Sequence, residues 1–349
     1  MDVEYRERHA HRSSEVIASI VILLVLVAGL FTYKSSSALT RLRQVQSTGA
    51  LPMNARVLFS PGEPAGADVV GRSVRYLIII GPALLFGVLI GGAVRAFVAP
   101  SWLTRAFGRG GIREHVVAGV SGAPLMLCSC CVAPVFSAIY ERSSRLGPAL
   151  AVALAAPSLN PAALVLTFML FRPPMALARL LMALAAVFIA PALVARISGA
   201  KFAPSVEILD VPCENDRRGM AMRLLLACAH VAVRTVPIIV VGVVLSIWLA
   251  HRIPMTALGS HKIGSAALVA FASLVALPVA LPTFFEIPLA FTLMGMGAPA
   301  GVALVVLFAG PATNLPSLLT IGRTTDWKVA SLVGLSVAVV ACIGGLLVS

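Results

Sequence analysis

Runs of about 20 consecutive apolar residues recur along this chain of 349 residues, and they constrain its fold more than any other feature. A helix of about 20 residues matches the hydrocarbon thickness of a bilayer. Only 12% of the residues are charged, whereas a soluble domain carries about 25%. The strands of a β-barrel would alternate polar and apolar residues, and these runs are apolar throughout. The sequence therefore predicts an all-α, polytopic, multi-pass protein of the lipid bilayer.

The polar segments between the apolar runs divide the chain into five parts. We expect an N-terminal tail and anchor helix at 1–33, a polar linker at 34–73, a first membrane repeat at 74–196, a charged linker at 197–219 and a second membrane repeat at 220–349. A cleaved signal peptide is the alternative for the N-terminus. The apolar run from Val16 to Tyr33 is longer than a usual signal-peptide core, and Lys34 to Ala38 is a poor cleavage site, which favours an uncleaved anchor.

Each membrane repeat contains four candidate spans. The predicted spans are Val74–Phe97, Val116–Ile139, Pro148–Phe171 and Met175–Ala195 in the first repeat, and Met220–Ala250, Ser265–Phe291, Pro299–Ile321 and Val329–Val348 in the second. Four full crossings per repeat would make the two repeats parallel in the membrane, whereas one re-entrant segment per repeat would invert them.

Turn and kink residues recur at a single offset of 154 residues, with no gap. The matched pairs are Pro100 and Pro254, Gly110 and Gly264, Pro124 and Pro278, Pro134 and Pro288, Gly147 and Gly301, Pro157 and Pro311, and Asn160 and Asn314. Glycine and proline fix positions where backbone geometry is least adaptable, so a shared set indicates a shared fold. The sequence predicts two homologous helical repeats.

Prolines interrupt the middle segments of each repeat. Pro124 and Pro134 flank a cluster of cysteines, and Pro157 and Pro161 flank Asn160. A proline frees a backbone carbonyl, which is costly in lipid unless it lines a cavity enclosed by protein or filled with water. Harmless kinks are the alternative. Breaks at matched positions of two halves are typical of a transporter's binding site, so we expect Pro-broken or re-entrant segments there.

Cys128, Cys130 and Cys131 form the clearest chemical feature. On a helix Cys128 and Cys131 share a face, whereas in an extended segment Cys128 and Cys130 do. Either pair offers soft sulfur ligands suited to trivalent arsenic, Cu(I) or a similar metal or metalloid. The alternative is that the cysteines are small buried hydrophobes. A structural zinc site is not expected, because no second Cys or His pair has suitable spacing.

Glu286 lies in the matching break of the second repeat, between apolar neighbours. An ionisable residue inside a span is costly and indicates function, so Glu286 is a candidate carrier of a coupling proton. The alternative is a carboxylate near a helix end that reaches interfacial water. Asn160 and Asn314 occupy equivalent Pro-x-x-Asn motifs, where an amide can cap a helix or contact substrate. Ser129 and Thr283 complete the expected substrate-binding set.

The formal net charge is +13, but Lys and Arg are scattered through the loops, as membrane insertion favours. We therefore expect no nucleic-acid partner. The sequence contains no phosphate-binding glycine loop, no nucleotide fingerprint and no catalytic Ser/His/Asp arrangement, so we expect a transporter without a cofactor rather than an enzyme. Its energy would come from an ion or substrate gradient.

Several of these residues resemble motifs of a known family. They are Cys128-Ser129-Cys130 with Pro134, Gly147-Pro148, Pro157-x-x-Asn160, and Gly310-Pro311-Ala312-Thr313-Asn314-Leu315-Pro316. With them, residues 74–349 resemble the predicted permease family that contains YraQ-type proteins and ArsP organoarsenical efflux permeases. The resemblance implies an integral inner-membrane permease, and some relatives export trivalent organoarsenicals through cysteine contacts. It points to Cys128 and Cys130, while Cys131 stands where the family has a small residue, and the second repeat has Pro282-Thr283-Phe284-Phe285 without cysteine.

Three alternatives to metalloid efflux stay open. The first is a permease for an unrelated anion or sulfur compound, with helix N-termini holding the charge. The second is a membrane thiol-redox protein that uses the cysteine cluster, and the third is a structural membrane subunit. Substrate, direction, coupling ion and oligomeric state do not follow from the sequence.

Overall fold

The computed structural model describes residues 2–48, 69–98, 103, 112–143, 145–199, 217–252 and 264–349. The helices of these residues are α1 (Asp2–Thr48), α2 (Val69–Phe97), α3 (Ile112–Gly122), α4 (Ser129–Ser143), α5 (Leu146–Ser158), α6 (Pro161–Leu170), α7 (Pro173–Phe188), α8 (Ala190–Ser198), α9 (Arg217–Arg252), α10 (Ser265–Val275), α11 (Glu286–Gly295), α12 (Ala300–Ala312), α13 (Leu315–Thr324) and α14 (Trp327–Val348). A short 3₁₀ turn at Ala123–Leu125 follows α3.

The all-α membrane class is confirmed. Within the described residues, five helical stretches are long and apolar enough to cross a bilayer: Ala18–Gln44, Val69–Phe97, Pro173–Ser198, Gly219–Ala250 and Trp327–Val348. The pairs α5–α6 and α12–α13 also qualify when each is taken as one span. Large apolar side chains such as Val233 and Leu181 are exposed, which in a bilayer means contact with lipid.

The N-terminal helix α1 runs beyond the predicted anchor. It is continuous through Tyr33 to Thr48, so the first part of the expected linker 34–73 is helical. Tyr33 stacks on Phe86, with ring centroids 6.1 Å apart, and this contact attaches α1 to α2. Most of the two predicted linkers, together with Pro100, Gly110 and Pro254, lies outside the described residues.

Two of the predicted spans are interrupted near their middle. In the span predicted at Val116–Ile139, α3 ends at Gly122, and Met126 adopts a left-handed conformation with φ 49° before α4 begins. In the span predicted at Ser265–Phe291, α10 ends at Val275 and α11 begins at Glu286, with Phe284 at φ 76°. Pro134 does not itself form a break, because it lies inside α4.

The segment from α3 to α4 is re-entrant. Glu114, near the start of α3, forms an ion pair of 3.0 Å with Arg145, which follows α4 and precedes α5. The His115 ring packs against Gly147 at the start of α5, and Gly122 at the end of α3 packs against Val152 and Ala155 further along α5. The segment therefore enters beside the start of α5, reaches its middle and returns to the same end.

The second half repeats the helix order of the first with matching bounds. α12 begins and ends 154 residues after α5, α13 does so after α6, and α14 begins 154 residues after α7. Both bent pairs, α5–α6 and α12–α13, turn by 41° at their breaks. The same backbone therefore forms at both places, although most side chains differ.

Candidate functional site

Three thiols meet at the tip of the re-entrant segment. Cys128 is the last extended residue before α4, and Cys130 and Cys131 lie in its first turn. The Sγ of Cys128 lies 3.2 Å from that of Cys130 and 2.8 Å from that of Cys131, and the third Sγ–Sγ distance is 3.8 Å. All three side chains are buried and are free thiols. The break thus brings together both sulfur pairs that the sequence offered as alternatives.

This thiol cluster has the geometry of a soft-atom ligand set. Thiolate–metal bonds are about 2.3 Å long, so sulfurs that share one central atom lie at most about 4 Å apart when three surround it in a plane. The three Sγ atoms satisfy that limit, and they form a possible metal-binding group within the described residues. Trivalent arsenic, Cu(I) and Zn²⁺ all accept such ligands.

Helix α2 covers the thiol cluster. The hydroxyl of Tyr76 lies 3.9 Å from the Sγ of Cys130, and the Cys131 thiol donates to the carbonyl of Ile80 at 3.9 Å. Gly87 lies against the backbone carbonyl of Cys131, with no room for a β-carbon. The close approach of α2 therefore depends on this glycine and encloses the thiols from one side.

Ser129 belongs to a different surface of α4. Its hydroxyl lines a cavity of about 10 Å³ between α4 and the α12–α13 break. The cavity is lined by Ser129, Val132, Ala133, Phe136, Ala153, Leu154, Ala312, Thr313, Ser317 and Ile321. Ser129 Oγ and Thr313 Oγ1 are buried and have no hydrogen-bond partner among the described residues. The structure therefore separates Ser129 from the sulfur atoms on either side of it in sequence.

Both expected asparagines cap a helix, so the predicted capping role is confirmed. Asn160 Oδ1 accepts from the N–H groups of Ala162 and Ala163 at the start of α6, at 3.1 and 3.3 Å. Asn314 Oδ1 accepts from the N–H of Ser317 at 3.1 Å, and the Ser317 hydroxyl accepts from the N–H of Asn314 at 3.0 Å. The amide nitrogens of both asparagines are buried and have no hydrogen-bond partner among the described residues. Substrate contact therefore stays a prediction for these two groups.

Glu286, the first residue of α11, forms a buried ion pair. Its Oε1 lies 3.1 Å from Nη2 of Arg179, and the two side chains are 2% and 1% exposed. Arg179 also donates to the hydroxyl of Thr167 on α6, while Oε2 of Glu286 is buried without a hydrogen-bond partner among the described residues. Thr283, half-buried, lies in the turn before α11.

Sequence reasoning assigned Glu286 but missed Arg179. The signal was present, because Arg179 is the one charged residue inside the predicted span Met175–Ala195. The predicted site residues therefore divide among three places: the thiol cluster, the cavity beside Ser129, and the Arg179–Glu286 pair.

Comparison with known proteins returns one family throughout. A family model described as a predicted permease matches residues 77–206. The UPF0718 protein YraQ of Escherichia coli (strain K12) is 31% identical over 277 residues, which cover 77% of this chain and 78% of that protein. The UPF0718 protein MJ0584 of Methanocaldococcus jannaschii is 34% identical over 89 residues, 26% of this chain and 24% of that protein. No solved structure matches the chain.

Proposed function

The chain belongs to the family of predicted permeases that includes YraQ, and on that premise we propose that it is a secondary transporter of the cytoplasmic membrane whose thiol cluster binds a thiophilic, trivalent arsenical or a similar soft solute for export. The observation that carries this proposal is the placement of three Sγ atoms within 4.8 Å of one another at the tip of a re-entrant segment.

The proposed architecture is a pair of inverted repeats. If α2, α5–α6 and α7–α8 each cross the bilayer and α3–α4 does not, the first half crosses three times and the second half starts on the opposite side. The second re-entrant segment supports this. Phe291 on α11 stacks on Phe171 just after α6, with ring centroids 4.4 Å apart, whereas α3 and α4 open beside the start of α5. The two segments thus enter from opposite ends of the α5–α6 crossing, an arrangement typical of alternating-access transporters.

Burial of the thiol cluster supports binding of a soft solute rather than of a hydrated ion. The three cysteines are at most 5% exposed, so a passenger reaches them only after losing its water. Trivalent arsenicals and soft metal ions repay that loss through bonds to sulfur, whereas hard cations prefer oxygen ligands. A movement of α2 or of the other half would open the path.

Glu286 is the proposed site of proton coupling. It links the two halves through Arg179, since α7 belongs to the first half and α11 to the second. Protonation of the carboxylate would remove one charge of the pair and weaken the link between the halves. A coupling proton could in this way favour one arrangement of the halves over the other.

A membrane thiol-redox protein is the second candidate function. The specific observation in its favour is the 2.8 Å distance between Sγ of Cys128 and Sγ of Cys131, because neighbouring thiols can exchange with a disulfide. The two functions make different predictions. A redox protein would transfer electrons in proportion to its thiols without net movement of a solute, whereas a permease would move a solute without a change in oxidation state.

Replacement of the cysteines tests the proposed function. We expect Cys128→Ser, Cys130→Ser and Cys131→Ser, alone or together, to abolish resistance to trivalent arsenicals and uptake into everted vesicles. Cys342→Ser is the matched control, since Cys342 lies on α14 outside the cluster, and it should leave both unchanged. Unchanged uptake by the triple variant would remove the thiols from the mechanism. Unchanged uptake together with disulfide exchange lost only in the triple variant would favour the redox function.

A further inference from the structure

The cavity beside Ser129 lies at an interface between the two halves. α4, α5 and their side chains form one wall, and the α12–α13 break of the second half forms the other. Its volume of about 10 Å³ is room for about one water molecule, or for one atom of a larger ligand. The thiols are not among the side chains that line it, so the cavity is a site separate from the cysteine cluster.

Two hydroxyls give the cavity its polar character. Ser129 and Thr313 are 2% and 1% exposed, and their hydroxyl oxygens have no hydrogen-bond partner among the described residues. A buried polar group without a partner is costly, and it is normally satisfied by protein, water or a ligand. Because each hydroxyl can donate one hydrogen bond, the pair can hold a single acceptor atom between them.

Helix ends give the cavity a positive electrostatic potential. α4 begins at Ser129 and α13 begins at Leu315, next to Thr313, so both N-termini lie at the cavity wall. The first N–H groups of a helix have no intrahelical partner, and this end carries a partial positive charge. α12 ends at Ala312, and its partial negative charge opposes them. Two N-termini against one C-terminus leave the balance positive, and no charged side chain is among the lining residues.

The repeat-related place in the molecule holds a resident anion. At the offset of 154 residues, Val132 and Ile321 of the cavity wall correspond to Glu286 and Thr167. Glu286 stands in the first turn of α11, and Arg179 connects its carboxylate to the hydroxyl of Thr167. The same backbone arrangement thus accepts a carboxylate at one interface and has a valine beside free hydroxyls at the other.

From these observations we propose that the cavity binds a small inorganic anion, with one atom accepting hydrogen bonds from Ser129 and Thr313 at the N-termini of α4 and α13. Chloride fits this description as a single atom, and an oxyanion such as nitrate fits it through one oxygen. The site would serve either a coupling anion or the anionic part of a substrate, and in both cases the ligand chemistry is the same.

Thermal unfolding of the full chain in detergent tests this inference. Sodium and ionic strength are held constant while gluconate, which is too large for the cavity, is replaced by chloride. We expect a saturable rise of Tm in chloride, because an anion that binds only the folded state stabilises it. Nitrate in place of chloride distinguishes the two sources: a rise in chloride alone identifies a halide site, and a rise in both identifies a site that also accepts an oxyanion oxygen.

Paired variants make the test specific. Ser129→Ala with Thr313→Val should remove the chloride-dependent rise, whereas Thr313→Ser, which keeps the hydroxyl, should retain it. Thr283→Val is the matched control, since Thr283 is the repeat mate of Ser129 and does not line the cavity. Equal Tm values of the wild type in chloride and gluconate, or a saturable rise that survives in the double variant, would overturn the proposal. The triple cysteine variant should retain the rise, so the result stands apart from metalloid transport.

Discussion

The two breaks that open the re-entrant segments share a backbone pattern and differ in chemistry. The first carries Cys128, Cys130 and Cys131, and the second carries Pro282, Phe284 and Phe285 at the same three positions. The second carries Glu286 where the first has Val132. Sulfur and charge are therefore confined to different halves. The difference teaches that the backbone break was kept while its side chains diverged, and it suggests separate tasks of binding a passenger at one break and of coupling to an ion at the other.

The charged break offers the largest expected effect on transport. In everted vesicles, Glu286→Gln should abolish uptake driven by a proton gradient, because the glutamine cannot exchange a proton, while exchange of substrate between equal concentrations continues. Uptake with and without an uncoupler measures both. If Glu286→Gln responded to the gradient as the wild type does, the carboxylate would be structural and the division of tasks between the breaks would fail.

Arg179 should give the largest effect on stability. Arg179→Leu leaves the buried carboxylate of Glu286 without its counter-charge, which should cost about 3–5 kcal/mol of folding free energy, whereas Arg179→Leu with Glu286→Leu should cost much less. Unfolding of both variants in detergent measures the two costs. Arg323→Leu, at an exposed arginine, is the control and should change stability by less than about 0.5 kcal/mol. Equal losses for the single and double variants would contradict the pairing.

The thiol break depends on close packing rather than on charge. Gly87→Ala places a β-carbon against the carbonyl of Cys131, so we expect a loss of about 1–3 kcal/mol from overpacking together with weaker arsenical binding. Gly81→Ala, on the same helix with open space around the new atom, should be neutral or stabilising by up to about 1 kcal/mol. Tm and arsenical titration follow both variants. Similar behaviour of the two would show that α2 does not hold the thiols in place.

The smallest expected effect concerns the helix caps that the two halves share. Asn160→Ala and Asn314→Ala should each cost about 0.5–2 kcal/mol, since each removes the acceptor of a helix N-cap. Asn314 should lie at the upper end, because it also forms a reciprocal capping box with Ser317. Chemical or thermal unfolding gives the order. A larger loss at Asn160 would indicate that its amide does more than cap α6.

Local features of the fold could be predicted from the sequence, because they depend on neighbouring residues. The length and apolarity of the runs gave the helical membrane class, and the Pro-x-x-Asn motifs gave the caps at Asn160 and Asn314. The break near Cys128 was expected, but its position was not, since Pro134 stays within α4 and the chain turns earlier, at Met126. A proline predicts that a helix is disturbed nearby, whereas tertiary contacts decide where it ends.

The site could be predicted only in part, because it depends on contacts between distant residues. Arg179 and Glu286 are 107 positions apart, and nothing in the local sequence of either indicates the other. The three-way contact of the thiols required the extended residue before α4, which brings Cys128 back towards the helix. The separation of Ser129 from its cysteine neighbours likewise follows from which helix packs on each face of α4.

The re-entrant segment also sets the depth of the thiol cluster. With 11 residues and a rise of about 1.5 Å per residue, α3 is about 16 Å long, which is half of a hydrocarbon layer of about 30 Å. A solute held by the sulfurs would then be equally far from either aqueous compartment. Neither exit is nearer, so the direction of net flux would be decided by the driving gradient and not by where the passenger is held.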